Sequence, residues 1–408
     1  MAKNTVALIG AAQTKFKTHY ADKTYVELAQ DAAKQALDDA GMEPGEIDAV
    51  VFSMAPTQFM GVNDCDRWST AHVFGSGKPY MRIHAGGATG GSALAAGYIH
   101  IASGVYRSVL VVGADRVAET PDAQHILNLI WDRFYEHDFA LNTVTMTALA
   151  AQRYMARYGT TEEQFARVVV RGRKNALGNP YAHLKGDITV DEVMNSPRVA
   201  YPYKRFDICP RSSGAAAVVL TNLDVAKQKC ARPAFVNGVS AITHSVFMGD
   251  RMGVFSETEF ADHDGEHIAA YEAYRQAGIT DPASQLQVAE LYDPFSTFQF
   301  PILEGLGFCG RGRAAAISDE GGWDMVGGQV AVNPSGGTLC TNPIGVTGLV
   351  RVVDAANQIM GNAGANQVPS VHNAVATAAG GSTQFFTVTV LGDDHTPPQA
   401  NAKMGIIQ

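Results

Sequence analysis

Val6–Ala12, Ser108–Ala114 (SVLVVGA) and Ala215–Leu220 (AAAVVL) carry no charge and no alternation of polar with apolar residues, and this constrains the fold more than any other feature. Strands of that composition are stable only with both faces covered, which predicts a sheet buried between helical layers. Ala49–Ser53 and Tyr80–His84 are shorter strand candidates. Between the first two strands, Thr24 and Glu27 form a capping-box pattern. Leu28, Ala29, Ala32, Ala33, Ala36, Leu37 and Ala40 follow on one helical face, and Gly41 ends the helix. Ser92–Ser103 reads as an Ala-rich helix packed closely enough to need the glycines before it.

The length of 408 residues suits two or three domains or one large duplicated fold. With 46% apolar and 17% charged residues, the chain is not disordered and can bury a sizeable core. A net charge of −9, from 31 basic and 40 acidic residues, argues against nucleic acid or an anionic membrane as a partner. The five cysteines are scattered and never form CxxC, which argues against a disulfide framework or a zinc ribbon and suits a reducing compartment. The first apolar run is too short for a signal peptide, and no stretch approaches the roughly 18 apolar residues of a membrane span, so the expected location is cytoplasmic.

From about 115 to 203 the chain is richer in charge. It carries a helix at Thr145–Tyr158 and another begun by Thr160 and Thr161, a long excursion from the sheet. After Ala231–Pro233 the order starts again. Phe235–Ile242 resembles the first strand, and Gln287–Tyr292 the Ala49 strand. Val330–Gly337 with a helix at Val346–Met360 echoes Arg82–Gly91 and its helix, and Val371–Ala379 and Phe386–Leu391 close the set. The pattern predicts a duplicated α/β unit with halves 1–230 and 231–408.

Several segments together resemble the thiolase superfamily, in its lipid-transfer-protein (sterol-carrier-protein) branch. They are Ile83–Gly91 (IHAGGATGG), the stretch TALAAQRYMARYGTTEEQFARVVVRGRKNALGNP from Thr147, and Asp207–Leu220 (DICPRSSGAAAVVL). Glu290–Gly312 (ELYDPFSTFQFPILEGLGFCGRG) and Asn333–Gly348 (NPSGGTLCTNPIGVTG) complete the series. They fall in the family's order across nearly the whole chain. The resemblance implies an αβαβα sandwich of two similar βαβαβαββ halves.

The departures from that family bear on chemistry, because a fold alone does not fix a reaction. A thiolase of this branch carries a nucleophilic cysteine at the start of the buried Ala-rich helix, where the helix dipole lowers the thiol pKa. Here that place falls on Gly87. The branch's two histidines are replaced by Tyr292, in LYDPF, and by Asn342, in TNPIGVTG. No acyl-enzyme can form on a glycine. Asn342 can still donate to the oxyanion of a thioester enolate, and the backbone around Gly86 and Gly87 can supply further donors. These features resemble the steroid side-chain aldolases of the branch, which carry tyrosine for the first histidine but a second tyrosine where this chain has Asn342. The resemblance implies retro-aldol cleavage of a bulky β-hydroxyacyl-CoA, with Tyr292 as base and Asn342 as oxyanion donor. It also implies a homodimer with a small zinc-ribbon/OB-fold partner, and no cofactor beyond the CoA of the substrate.

Other residues leave alternatives open. Asp293 can tune the tyrosine or hold a loop, and His84 can serve the site or be a satisfied core residue. Cys340 is a candidate for a displaced nucleophile, which would make the protein a thiolase or acyltransferase, and a non-catalytic acyl-CoA-binding or lipid-binding subunit is the other rival. Cys309 reads as structural. Arg171, Arg173 and Lys174 read as a solvated face, although the family's excursion lies over the CoA and makes them candidates for its phosphates. GLGFCG at Gly305–Gly310 fits a dinucleotide-binding string but ends a helix instead of following a strand. HDGEH at His263–His267 reads as charged loop residues, so no metal site is expected.

Overall fold

A computed structural model describes residues 4–139, 141–251 and 259–395. The first half of the chain runs β1 (Val6–Gln13), α1 (Tyr25–Ala40), β2 (Ala49–Ser53), β3 (Tyr80–Ile83), α2 (Thr89–Ala102) and β4 (Ser108–Arg116). The excursion follows with α3 (Thr143–Tyr158) and α4 (Glu162–Ala176), and the chain returns as β5 (Ser213–Asn222). The second half runs β6 (Ala234–Thr243), α5 (Asp264–Ala277), β7 (Val288–Glu290), α6 (Gln299–Gly305), β8 (Ala331–Val332), α7 (Thr347–Met360), β9 (Asn373–Gly380) and β10 (Phe385–Gly392).

The strands order as β8-β7-β9-β10-β6-β1-β5-β4-β2-β3. Read outward from the centre, each half repeats one arrangement. Its first strand pairs antiparallel with its last, the last pairs antiparallel with the fourth, and the fourth, second and third run parallel. The halves meet where β1 pairs antiparallel with β6, Ala7 opposite Phe235 and Leu8 opposite Ala234. Helix α1 covers β1, β4 and β5 on one outside, and α5 covers β6 and β10 on the other. Between the two halves of this ten-stranded sheet lie α2, which touches β2, β4, β6 and β9, and α7, which touches β1, β7 and β9. The layers are therefore αβαβα.

Some elements differ from the sequence reading. The Gln287–Tyr292 strand shrinks to Val288–Glu290 because side chains replace the ladder: Leu291 N–H donates to Asn333 Oδ1 at 2.6 Å and Tyr292 N–H to Thr377 Oγ1 at 3.0 Å. The Val330–Gly337 strand keeps only Ala331–Val332, since Asn333 turns to a positive φ of 49°. His263–His267 is not a loop. It opens α5, with His263 and Glu266 buried. Among the described residues no group of three or more metal-ligating side chains gathers there or elsewhere.

The middle layer depends on close approach. Every residue of α7 except Asn357 is buried. A β-carbon on Gly90 of α2 would lie 2.2 Å from Leu349 N, and one on Gly348 would lie 2.7 Å from Gly91 N, so the two helices cross backbone to backbone. Gly90→Ala forces them apart. Overpacking of this kind costs about 1–3 kcal/mol, and chemical denaturation of the variant is expected to show a loss in that range.

Candidate active site

The turn joining β3 to α2 is tied by Thr89, whose hydroxyl donates to Gly86 O (2.6 Å) and accepts from Ala85 N–H (2.8 Å). Gly86 has φ +58°. The Ala88 and Thr89 N–H groups are taken up by the carbonyls of Ala85 and Gly86. At Gly87 a β-carbon would lie 2.3 Å from Tyr292 Oη and 2.4 Å from Ala379 O. The phenol of Tyr292 thus fills the space that a side chain at position 87 would need. Burial pushes that phenol well above its ordinary pKa, and the Cys209 thiol and the Asp115 carboxyl push it further in the same direction.

Asn342 lies in the loop before α7. Its Oδ1 accepts from Ile344 N–H at 3.1 Å and from the Thr347 hydroxyl at 2.8 Å, which fixes the amide so that Nδ2 is the donor end. Nδ2 donates to Cys209 Sγ at 3.0 Å. Ser212 holds the two loops together: its N–H donates to Asn342 O at 3.0 Å, and its hydroxyl oxygen accepts from Asn342 N–H at 3.1 Å. Burial raises the Cys209 thiol to about 12, partly offset by the Asn342 amide.

Gly86, Gly87, Cys209, Tyr292 and Asn342 line one cavity of about 760 Å³. Its remaining walls are mostly apolar and include Ile126, Leu127, Trp131, Met146, Phe295 and Phe298. Much of this wall comes from the excursion. His84 also lines the cavity but is exposed and makes no hydrogen bond among the described residues, so it is not a satisfied core histidine. Arg211, likewise exposed, is the cation among the described lining residues.

The other candidates lie elsewhere. Cys340 is wholly buried in a small cluster with Ala176 and Ala182, its thiol raised to about 12 by burial, and it is not part of the cavity wall. Asp293 holds a loop. It accepts from Gln299 Nε2 (2.8 Å), Asn333 Nδ2 (2.8 Å) and Thr338 N–H (3.1 Å), and makes no bond to Tyr292. Arg171 is not solvated. It bonds Gln299 and Ser318, so it braces the same Asp293 loop, and burial lowers it to about 10. Arg173 sits over the Phe206 ring and Lys174 is exposed; all three lie outside the cavity wall. Cys209 and Arg211 escaped the sequence reading. The available signal was their place in DICPRSSG, just before a buried strand that the site leans on.

The residues matching the thiolase N-terminal domain are 6–200, and 250–393 match a thiolase C-terminal domain-like family. The chain is 31% identical to an acetyl-CoA acetyltransferase of Methanothermobacter thermautotrophicus, over 94% of this chain and 99% of that one. It is 28% identical to a 17-hydroxy-3-oxo-4-pregnene-20-carboxyl-CoA lyase of Mycobacterium tuberculosis, over 93% and 98% respectively. A solved Ltp2–ChsH2(DUF35) aldolase superposes with a TM-score of 0.82 at 25% identity, covering 97% of this chain and 99% of that one. The protein belongs to the thiolase superfamily. Within it, the chain falls in the sterol-carrier-protein thiolase-like branch that includes steroid side-chain aldolases.

Two outcomes follow from the geometry. Gly87→Ala displaces the Tyr292 phenol, so turnover is expected to fall at least about 100-fold in a variant whose thermal unfolding shows it folded. Burial raises Asp293 to about 6, yet its three partners are all donors, which a carboxylate serves better than the acid does. The raised value means that the proton stabilises the native state; that contribution is complete below about pH 4 and is lost as pH rises through about 6. Activity has the opposite sign. It should decline below about pH 6 as the loop loses its acceptor, and Asp293→Asn should remove that inflection from the pH–rate profile.

Proposed function

We propose that this protein is a carbon–carbon lyase that cleaves a bulky β-hydroxyacyl-CoA by a retro-aldol reaction. One observation carries the reading: the Tyr292 hydroxyl occupies the space of the missing side chain at Gly87, so an acyl-enzyme at that position is replaced by a phenol beside the substrate. Tyr292 takes the proton of the β-hydroxyl while the Cα–Cβ bond breaks. The resulting enolate oxygen is received by Asn342 Nδ2, whose orientation is set by Ile344 and Thr347 before substrate arrives. The lyase and aldolase relatives support this chemistry, and the large apolar cavity supports a bulky, steroid-like acyl group.

The remaining features belong to the same proposal. CoA enters as part of the substrate and no further cofactor is used. The exposed positions of Arg211 and His84 on the cavity wall support contact with the polar arm of the thioester. The aldolase neighbour, which pairs Ltp2 with a DUF35 protein, supports a small zinc-ribbon/OB-fold partner of that type, and the family supports a homodimer. No described helix is long and apolar enough to cross a membrane. The five cysteines are free, which supports a cytoplasmic setting.

The test is mass spectrometry of CoA thioesters incubated with the protein and a co-expressed partner, with and without free CoA. Cleavage of a β-hydroxyacyl-CoA to a ketone or aldehyde without added CoA is expected. Tyr292→Phe should lower the rate by about 10²–10⁴, and Asn342→Ala by about 10²–10³. Consumption of β-ketoacyl-CoA alone, and only with free CoA, would identify a thiolase. Unchanged turnover of the complex in both variants would identify a non-catalytic subunit.

A further inference from the structure

A phenol held protonated by its surroundings can accept the substrate's proton only if it passes its own proton on. Tyr292 is 6% exposed and lines the cavity, and among the described residues nothing hydrogen-bonds its hydroxyl. Cys209 lines the same cavity, and its sulfur accepts from Asn342 Nδ2 at 3.0 Å, which leaves its S–H free to point elsewhere. An enolate oxygen bound at Asn342 Nδ2 brings its α-carbon, two bonds away, up to that sulfur. A thiol that keeps its proton is a poor nucleophile and a competent proton donor.

We propose that Cys209 delivers the proton to the α-carbon of the enolate and, with Tyr292, forms a relay that carries the substrate's hydroxyl proton to that carbon. The inference rests on the retro-aldol reading. The substrate O–H proton passes to Tyr292 Oη, and its bond pair becomes the second bond of the new carbonyl. The Tyr292 proton passes to Cys209 Sγ through solvent in the cavity that both residues line, and the Cys209 proton passes to the α-carbon, where the electron pair of the broken Cα–Cβ bond forms the new C–H bond. Both residues end as they began. Nothing is oxidised or reduced, and no co-reactant is needed.

The experiment uses the chain with its co-purified partner, in D₂O, on a β-hydroxy-α-methylacyl-CoA with a bulky apolar β-substituent. The rate of cleavage and the configuration of the deuterated propanoyl-CoA are both read. The wild-type protein should place one deuterium on one face of the α-carbon. Cys209→Ala should cleave about 100-fold more slowly and deuterate both faces, a stereochemical loss that a merely structural role would not cause. Cys209→Ser, nearly isosteric and a weaker acid, should fold normally, keep single-face delivery and slow the reaction about 10-fold or more. Single-face deuteration in Cys209→Ala at a rate within about 3-fold of wild type overturns the relay but leaves the lyase standing. If Cys209→Ala does not fold, an unchanged rate in Cys209→Ser overturns it equally. Absence of cleavage by the wild-type protein removes the lyase reading, and the relay with it.

Discussion

The structure depends on two buried helices that touch without side chains between them. Gly90 meets the backbone at Leu349, and Gly348 meets the backbone at Gly91, so the starts of α2 and α7 are pinned against each other. Two of the residues singled out by chemistry sit just ahead of these starts, Gly87 before α2 and Asn342 before α7. The distance between them is therefore set by the crossing and not by either loop. Asp115, at the end of β4, fixes the same junction from the side. Its carboxyl accepts from Ala55 N–H and Val346 N–H, both at 2.9 Å, and so joins the first half to the foot of α7. Further along α7, Arg351 pairs with Glu290 and Asp354, and Gln13 of β1 bonds Asp354, so that helix is anchored to both halves.

The electrostatics of the cavity floor have one direction. Burial raises Tyr292 and Cys209 on the cavity wall, and it raises the buried Asp115 outside that wall as well, and so favours the protonated groups. A thiolate nucleophile needs the opposite environment. Chemistry that moves protons between neutral groups fits these surroundings, and the amide of Asn342 adds a donor for a transient anion without bringing a permanent charge.

Much of this was legible in the sequence because it lies in local patterns. The uncharged strands, the capping box at Thr24 and Glu27 and the repeated strand–helix order follow from periodicity and turn chemistry, and the structure reproduces them. The sequence also directed attention to Gly87, Tyr292 and Asn342, which the structure brings to one cavity. What stayed hidden depends on tertiary partners. Asp293 could have faced Tyr292 or the Asn333–Thr338 loop, and only the fold shows that three donors claim it. Cys340 sits two residues before Asn342, yet a turn sends it into the packing under α4, whereas Cys209, more than a hundred residues away in sequence, touches Asn342. Arg171 looked solvated because helical spacing cannot reveal Gln299 and Ser318 across the chain.

The volume shared by position 87 and the Tyr292 ring has a consequence for how such a site arises. It admits one tenant. A chain with a side chain at 87 has no room for a phenol at 292, and a chain with the phenol has no room for a side chain at 87. A chain that holds both folds only with the phenol pushed out of its place, so the residue that serves either chemistry displaces the one that serves the other. Passage between the two kinds of site therefore carries a steric cost at any step that fills one place while the other is occupied.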